Sequence, residues 1–296
     1  MSSNPFLSTV EAGKNAAWRY LLGIVVIVIV WQATGFLAGL LLFVLSDGAA
    51  NSSMLESPVS LAIMLLSFTP LLLMPMLVNR WVHGRPASAL FGAARRLNWR
   101  QIGFSAALWV LLMATVALVS TILGLSQYEY NGEFVGALPM VLVGLLLLPV
   151  QTSAEEVFFR GYLLQATGRL THNVVLLSIV NGILFALPHF ANPEMSMGPL
   201  FSLGQWFVIG FGLALITLRS GSLDAALGIH AANNVASFVL FGYRGGSLPA
   251  VALFVEDAPD PALGLVALVI ATVIAYWVLG RQSVAQVVQP AHTTQS

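Results

Sequence analysis

From Tyr20 to Leu45 the chain runs without a charged residue, and the stretch is long enough to cross a lipid bilayer. About 20 apolar residues in helical form span the hydrocarbon core. Lipid offers no partner to a backbone N–H or C=O, so such a run must satisfy its own hydrogen bonds as a helix. The same criterion marks further spans near 59–79, 102–124, 136–154, 174–190, 200–218, 223–242 and 261–280, eight in all. Composition agrees. Of 296 residues, 58% are hydrophobic and 8% charged, against roughly 25% charged in an ordinary soluble protein. The expectation is an all-α, polytopic membrane helix bundle of about eight transmembrane helices, one integral membrane domain over 1–296. The first run is too long for the apolar region of a signal peptide and is read as a retained helix. Residues 1–18 are expected to form a cytoplasmic segment with a short interfacial helix, and 282–296 a polar, disordered cytoplasmic tail. Gly35 and Gly39 form a small-xxx-small pair suited to close helix packing.

Charge sets the expected orientation, because basic residues concentrate on the cytoplasmic side. Lys14, Arg19, Arg80, Arg85, Arg95, Arg96, Arg100, Arg160, Arg169, Arg219 and Arg281 all fall in the terminal segments and even-numbered loops, eleven of the 12 basic residues. Arg244 falls on the other side, with Asp47, Glu56, Glu129, Glu133, Glu194, Glu256, Asp257 and Asp260. Both termini are therefore expected in the cytoplasm. The arginine-rich connection 80–100 is expected to lie against anionic headgroups, making membrane lipid a partner. A formal net charge of +0 gives no footprint for nucleic acid. The absence of cysteine excludes disulfides, thiol catalysis and thiolate metal sites.

Ionisable side chains at membrane depth are costly and mark function. Here they are few: Glu155, Glu156 and Arg160 at the end of the fourth span, His189 in the fifth, His230 in the seventh, with the amides Asn181 and Asn234. Glu156 and Arg160 are four apart and pair on one helix face, and the same step links Asn181, Phe185 and His189, and His230 with Asn234. With turns near Gly168–His172 and Ser220–Ser222, the glutamates lie about 22 Å and His189 about 28 Å from the first turn, at 1.5 Å per residue. His230 lies about 14 Å from the second, so convergence requires the first hairpin to reach further out of the bundle. Taken singly, a Glu–Arg pair is a structural staple, a buried histidine a packing residue and an asparagine helix glue. Together they are the parts for activating water and stabilising an oxyanion. His83 is read as a surface residue, His172 and His292 as loop and tail residues, none with chemistry.

Read in order, "EEVFFR", "FALPH" and "HAANN" resemble the three motifs of the CAAX prenyl protease and bacteriocin-processing (CPBP) family of intramembrane endopeptidases: E-E-x-x-x-R, F-x-x-x-H and H-x-x-x-N. The likeness spans about 80 residues, and "HGRPASALFG" resembles bacterial members more loosely. The resemblance implies hydrolysis of a peptide bond, by a site open to the cytoplasm, near the C-terminus of a lipidated or membrane-associated peptide or protein. For a bacterial member the place is the plasma membrane. It also implies roles: Glu155 as general base holding water with His189, His230 and Asn234 as oxyanion donors, and Glu156, tied to Arg160, orienting Glu155. Two mechanisms stay open. In one no cofactor takes part; in the other Glu155, His189 and His230 ligate Zn²⁺ with water in the fourth position, although the H-E-x-x-H helix of zincins is absent. A serine protease lacks its motif. A transporter would show internal repeats. A non-catalytic scaffold or immunity protein on the same fold is the stronger alternative.

Overall fold

The computed structural model describes residues 4–46 and 55–288. Eleven α-helices occur among them: α1 (Pro5–Ser8), α2 (Ala17–Leu45), α3 (Pro58–Leu66), α4 (Thr69–Trp81), α5 (Trp99–Ile122), α6 (Leu138–Glu156), α7 (Leu164–Thr167), α8 (Val174–Ala186), α9 (Pro199–Ser220), α10 (Asp224–Val239) and α11 (Pro261–Val288). Seven segments are long and apolar enough to cross a membrane: α2, α3 with α4, α5, α6 through α7, α8 with the turn after it, α9, and α11 as far as Leu279. The protein is an integral, multi-pass membrane protein. The remaining expected span, 223–242, is α10, only 16 residues long. It is shorter because Phe241 leaves the helix to enter a strand. Packed between α5, α6 and α9, most of α10 is buried in protein and has little lipid face to fill.

The sheet at this end was not expected. Strands β1 (Tyr128–Tyr130), β2 (Phe241–Tyr243) and β3 (Phe254–Glu256) lie in the order β1-β3-β2, with β1 antiparallel and β2 parallel to β3. Tyr128 pairs with Glu256 across it. Burial, then the neighbouring Glu256 carboxylate, push the Tyr128 phenol up to about 12. Glu194 ties a second loop to the sheet, accepting from Tyr243 Oη at 3.2 Å, Ser247 N at 2.8 Å and Ser247 Oγ at 2.7 Å.

At the opposite end the chain folds inward. The expected interfacial helix is α1, four residues long, and its Phe6 and Leu7 join the core. The connection 80–100 also departs from expectation. Arg80, Arg95, Arg96 and Arg100 are exposed, but Arg85 is buried together with Ala89 and Leu90. His83, expected at the surface, is fully buried. Its Nδ1 donates to the Lys14 carbonyl at 3.0 Å, leaving Nε2 to accept from Tyr162 Oη at 2.9 Å. Burial pushes this imidazole below its ordinary range. The expected tail lies partly outside the described residues: α11 is helical to Val288, and 289–296, including His292, are not described, nor is Asp47.

Glycines bring the helices close. A Cβ on Gly210 of α9 would lie 2.7 Å from the Gly182 Cα of α8. A Cβ on Gly228 of α10 would strike Ser105 Oγ and the Ile102 carbonyl of α5. Gly35 and Gly39, expected at a helix interface, have nothing within 4 Å of such a Cβ. Gly210→Ala should therefore push α8 off α9 and destabilise the protein by roughly 1–3 kcal/mol, the scale of core overpacking. Gly35→Ala and Gly39→Ala should hold or raise the melting temperature, since alanine favours helix by about 1 kcal/mol. Thermal melts in detergent check both, and an unaltered Gly210→Ala would show that the two helices do not meet there.

Candidate active site

The site begins where α6 stops being an α-helix. Pro149 within α6 has no N–H, which frees the carbonyl one turn back. After Glu156 the rod widens into a π-helical turn, Val157–Leu163, before α7 closes it. Such turns are rare and often found at functional sites. Neighbours hold this one. Asn181 Nδ2 donates to the Phe159 carbonyl at 2.8 Å, and a Cβ on Gly161 would press on the Leu90 carbonyl at 3.2 Å. Tyr162 is the residue gripped by His83.

The charged residues meet on this turn. Arg160 Nη1 donates to Glu156 Oε1 at 2.8 Å, and His230 Nδ1 donates to the same oxygen at 2.7 Å. Arg160 Nη2 reaches the Ile209 carbonyl at 3.3 Å, and its guanidinium lies 4.3 Å from the Phe185 ring centre. Glu156 and Arg160 have no exposed surface. Glu155 faces the other side of the histidine, with Oε2 3.5 Å from His230 Nε2. The resemblance implies that Glu156 orients Glu155; its side-chain contacts run to Arg160 and His230.

α8 ends at Ala186, and a 3₁₀ turn with Pro188 near its start, Leu187–Ala191, carries His189. The His189 Nδ1 donates to the Phe185 carbonyl at 2.8 Å, and the ring stacks on Trp206 at 4.8 Å. Its Nε2 is thereby left as an acceptor. Phe185 separates the two histidines, its centre 5.0 Å from His189 and 5.6 Å from His230. Glu155, His189, His230 and Asn234 all line one cavity of about 600 Å³. Asn181, by contrast, serves the π turn and not the cavity.

Three residues of the same wall escaped the sequence reading. Gln151 precedes Glu155 by one turn and accepts from Asn234 Nδ2 at 3.4 Å. Asn233 donates to Asn234 Oδ1 at 3.2 Å and accepts from Trp109 Nε1 at 3.1 Å. Gln151 repeats the i,i+4 step that marked the other motifs, and Asn233 stands beside Asn234 in "HAANN". Trp109 carried no signal that separates it from a core residue.

A polytopic helical bundle with a glutamate, two histidines and an asparagine on one cavity, backed by a second glutamate and an arginine, has the fold of a CAAX-type intramembrane protease. The family profile described as "Type II CAAX prenyl endopeptidase Rce1-like" matches residues 134–236, which contain all three motifs. The uncharacterized protein YyaK of Bacillus subtilis (strain 168) is 34% identical over 247 residues, 78% of this chain and 80% of that protein. The chain belongs to the Rce1-like CAAX prenyl endopeptidase family, within the CPBP proteins, and that family is generally one of proteases.

Zinc donors of the right type are present: the Nε2 atoms of His189 and His230, and Glu155. Their placement does not fit. Among the described residues no three His, Asp or Glu side chains are arranged to hold a metal ion. Glu155 Oε2 and His230 Nε2 lie 3.5 Å apart, but the Phe185 ring stands between His230 and His189.

The shared Glu156 oxygen yields a stability expectation. Glu156→Gln removes the anion from both Arg160 and His230, and breaking a buried pair in this way costs roughly 3–5 kcal/mol. Glu155→Gln removes only the longer 3.5 Å contact and should cost far less. Denaturation in detergent measures both, and equal losses would mean that Glu156 is not the anchor of the cluster.

Proposed function

We propose that the protein is an intramembrane endopeptidase that hydrolyses a peptide bond with water activated by Glu155. The observation that carries this reading is the contact of Glu155 with His230 on the wall of the cavity, while Glu156 holds the far side of that histidine. In the productive form of this pair the proton lies on Nε2. Glu155 is then a free carboxylate, and Nε2 has a hydrogen to donate. Two carboxylates and two cations, Arg160 and His230, also balance to zero charge in a medium that penalises any excess.

In the reaction Glu155 takes a proton from water, positioned with the acceptor Nε2 of His189, and the oxygen attacks the peptide carbonyl carbon. The carbonyl becomes an oxyanion, met by N–H groups of His230 and Asn234. Collapse breaks the C–N bond, and the proton held by Glu155 passes to the leaving nitrogen. The products are a carboxylic acid and an amine. No step runs through a metal. The substrate class is a lipidated or membrane-associated peptide or protein cut near its C-terminus, as in the family's name.

The charge distribution supports both termini in the cytoplasm, and the Bacillus subtilis relative supports a bacterial plasma membrane; the cavity is lined at the sheet end, by Tyr128, Tyr243 and Glu256, and not at the cytoplasmic end where the site was expected to open. The sheet end carries Glu129, Glu133, Glu194, Glu256, Asp257 and Asp260. Topology reporters fused after Gly246 and after Arg281 should report opposite sides of the membrane. Signals from the same side would overturn that orientation.

Catalysis is tested with candidate peptides in liposomes. Glu155→Gln keeps size and hydrogen bonding but takes no proton, so the rate should fall by about 10²–10⁴ in a protein that still melts cooperatively. Asn234→Ala should lower kcat by roughly 10²–10³ with KM little changed. Protein stripped of metal by chelator should retain activity; its loss, and recovery with Zn²⁺, would restore the zinc mechanism. Full activity in Glu155→Gln would end the assignment, and a protein that binds a membrane partner yet cleaves nothing would be the scaffold.

A further inference from the structure

We propose that Trp109, Asn233 and Gln151 are positioning residues that fix which end of the Asn234 amide faces the cavity. The inference rests on the proposed role of Asn234 as an oxyanion donor. The two ends of an asparagine amide have nearly the same shape and opposite hydrogen-bonding character. Only the NH₂ end stabilises an oxyanion; the carbonyl end would repel it. Something must therefore choose.

The choice begins at an indole. Trp109 Nε1–H donates and cannot accept. It holds Asn233 Oδ1 at 3.1 Å, which turns the NH₂ of Asn233 toward Asn234. That NH₂ donates to Asn234 Oδ1 at 3.2 Å, so the Asn234 oxygen is engaged and its Nδ2 is turned out to Gln151 Oε1 at 3.4 Å. The NH₂ end of Gln151 is then directed toward Glu155, one turn further along α6. Each link runs from donor to acceptor, and the first cannot be reversed. Flipping Asn233 would set its NH₂ against the indole N–H and leave a buried donor without a partner, which costs about 1–3 kcal/mol.

The relay depends on how closely α5 and α10 approach. Gly228 allows it: a Cβ there would strike Ser105 Oγ and the Ile102 carbonyl. Trp109 stands one turn beyond Ser105, and Asn233 just over one turn beyond Gly228, so close contact at the glycine brings the indole to the amide. Trp109 is 2% exposed, which removes water as a competing partner. A helix with no motif residue thus sets the direction of a group in the catalytic wall. If the relay were only glue between helices, its loss would be felt in stability and not in chemistry.

The test uses full-length protein with ¹⁵N-labelled asparagine in detergent micelles, the Asn234 side-chain NH₂ signals being identified by their loss in Asn234→Ala. Trp109→Phe keeps an aromatic ring and removes the donor. The Asn234 signals should shift or split, and in the peptide assay kcat should fall roughly 10–100-fold, less than for losing the donor itself, with KM unchanged. In an Asn234→Ala background Trp109→Phe should have no further effect, because both changes remove one interaction. Trp109→His, which restores a ring N–H, should recover part of the rate. Unmoved Asn234 signals, or effects of the two substitutions that multiply, would overturn the proposal. If Trp109→Phe does not fold, Asn233→Asp serves: its carboxylate still accepts from the indole but cannot donate to Asn234, so the same shift and the same kcat loss are expected. The two readings fail separately. An active Glu155→Gln sinks the hydrolase reading and leaves the amide signals to decide the relay. An inactive Glu155→Gln beside a fully active Trp109→Phe sinks the relay alone. Should wild type cleave no peptide tried, the signals decide.

Discussion

One carboxylate oxygen, Glu156 Oε1, accepts from both Arg160 and His230, and the rest of the site depends on that sharing. A guanidinium with no exposed surface in a membrane bundle requires a partner, and its partner fixes a histidine as well. With Nδ1 engaged, the histidine presents Nε2 in one direction, toward Glu155. The orientation of the Glu155–His230 pair is thus a by-product of neutralising Arg160. Adjacent glutamates can take different tasks because they leave the helix about 100° apart, one toward the interior and one toward the cavity.

Much of this was legible in the sequence because lipid leaves few options. Apolar runs had to be helices, and ionisable residues within them stood out by rarity. The step of four residues placed Glu156 with Arg160 and His230 with Asn234 on common faces. Legibility ended where a residue's role depended on its partner. The histidine at 83 read as a surface residue because it sits in an arginine-rich connection; its burial comes from the amino-terminal segment and Tyr162 closing over it. Gly35 and Gly39 fit a packing pattern that no described helix of the chain answers. The seventh span read as longer than it is because hydropathy cannot show that Phe241–Tyr243 leave the helix for a strand; α10 still runs from the end at Ser222 to the sheet. The small sheet was hidden by strands three residues long, too short for any alternation to register.

Family membership and geometry bear on different questions. The match to Rce1-like proteins speaks for a protease fold and for the three motifs together. It does not say how the second glutamate is used; the contacts do, turning it toward the histidine. Nor does it cover Trp109, which lies outside the matched residues on a helix with no motif of its own. Groups of this kind, reached through space by a close glycine contact, are the part of an active site least visible in any linear pattern.

The π turn between Val157 and Leu163 has a consequence for phase. Widening a helix over seven residues lets one more residue into the rod than α geometry would hold, so the residues beyond the turn are rotated by about 100° relative to those before it. Before the turn the inward stripe of α6 serves the cavity; towards its end and beyond it the inward positions fall on Tyr162 and Gln165, which meet the buried connection through His83 and the Ala89 carbonyl. A single rod thus serves two different neighbours on two different meridians. Deleting one residue from the turn would straighten the helix and keep every motif residue in the chain, yet it would swing α7 away from its partners. In this protein, length between motifs carries information as strict as the motifs themselves.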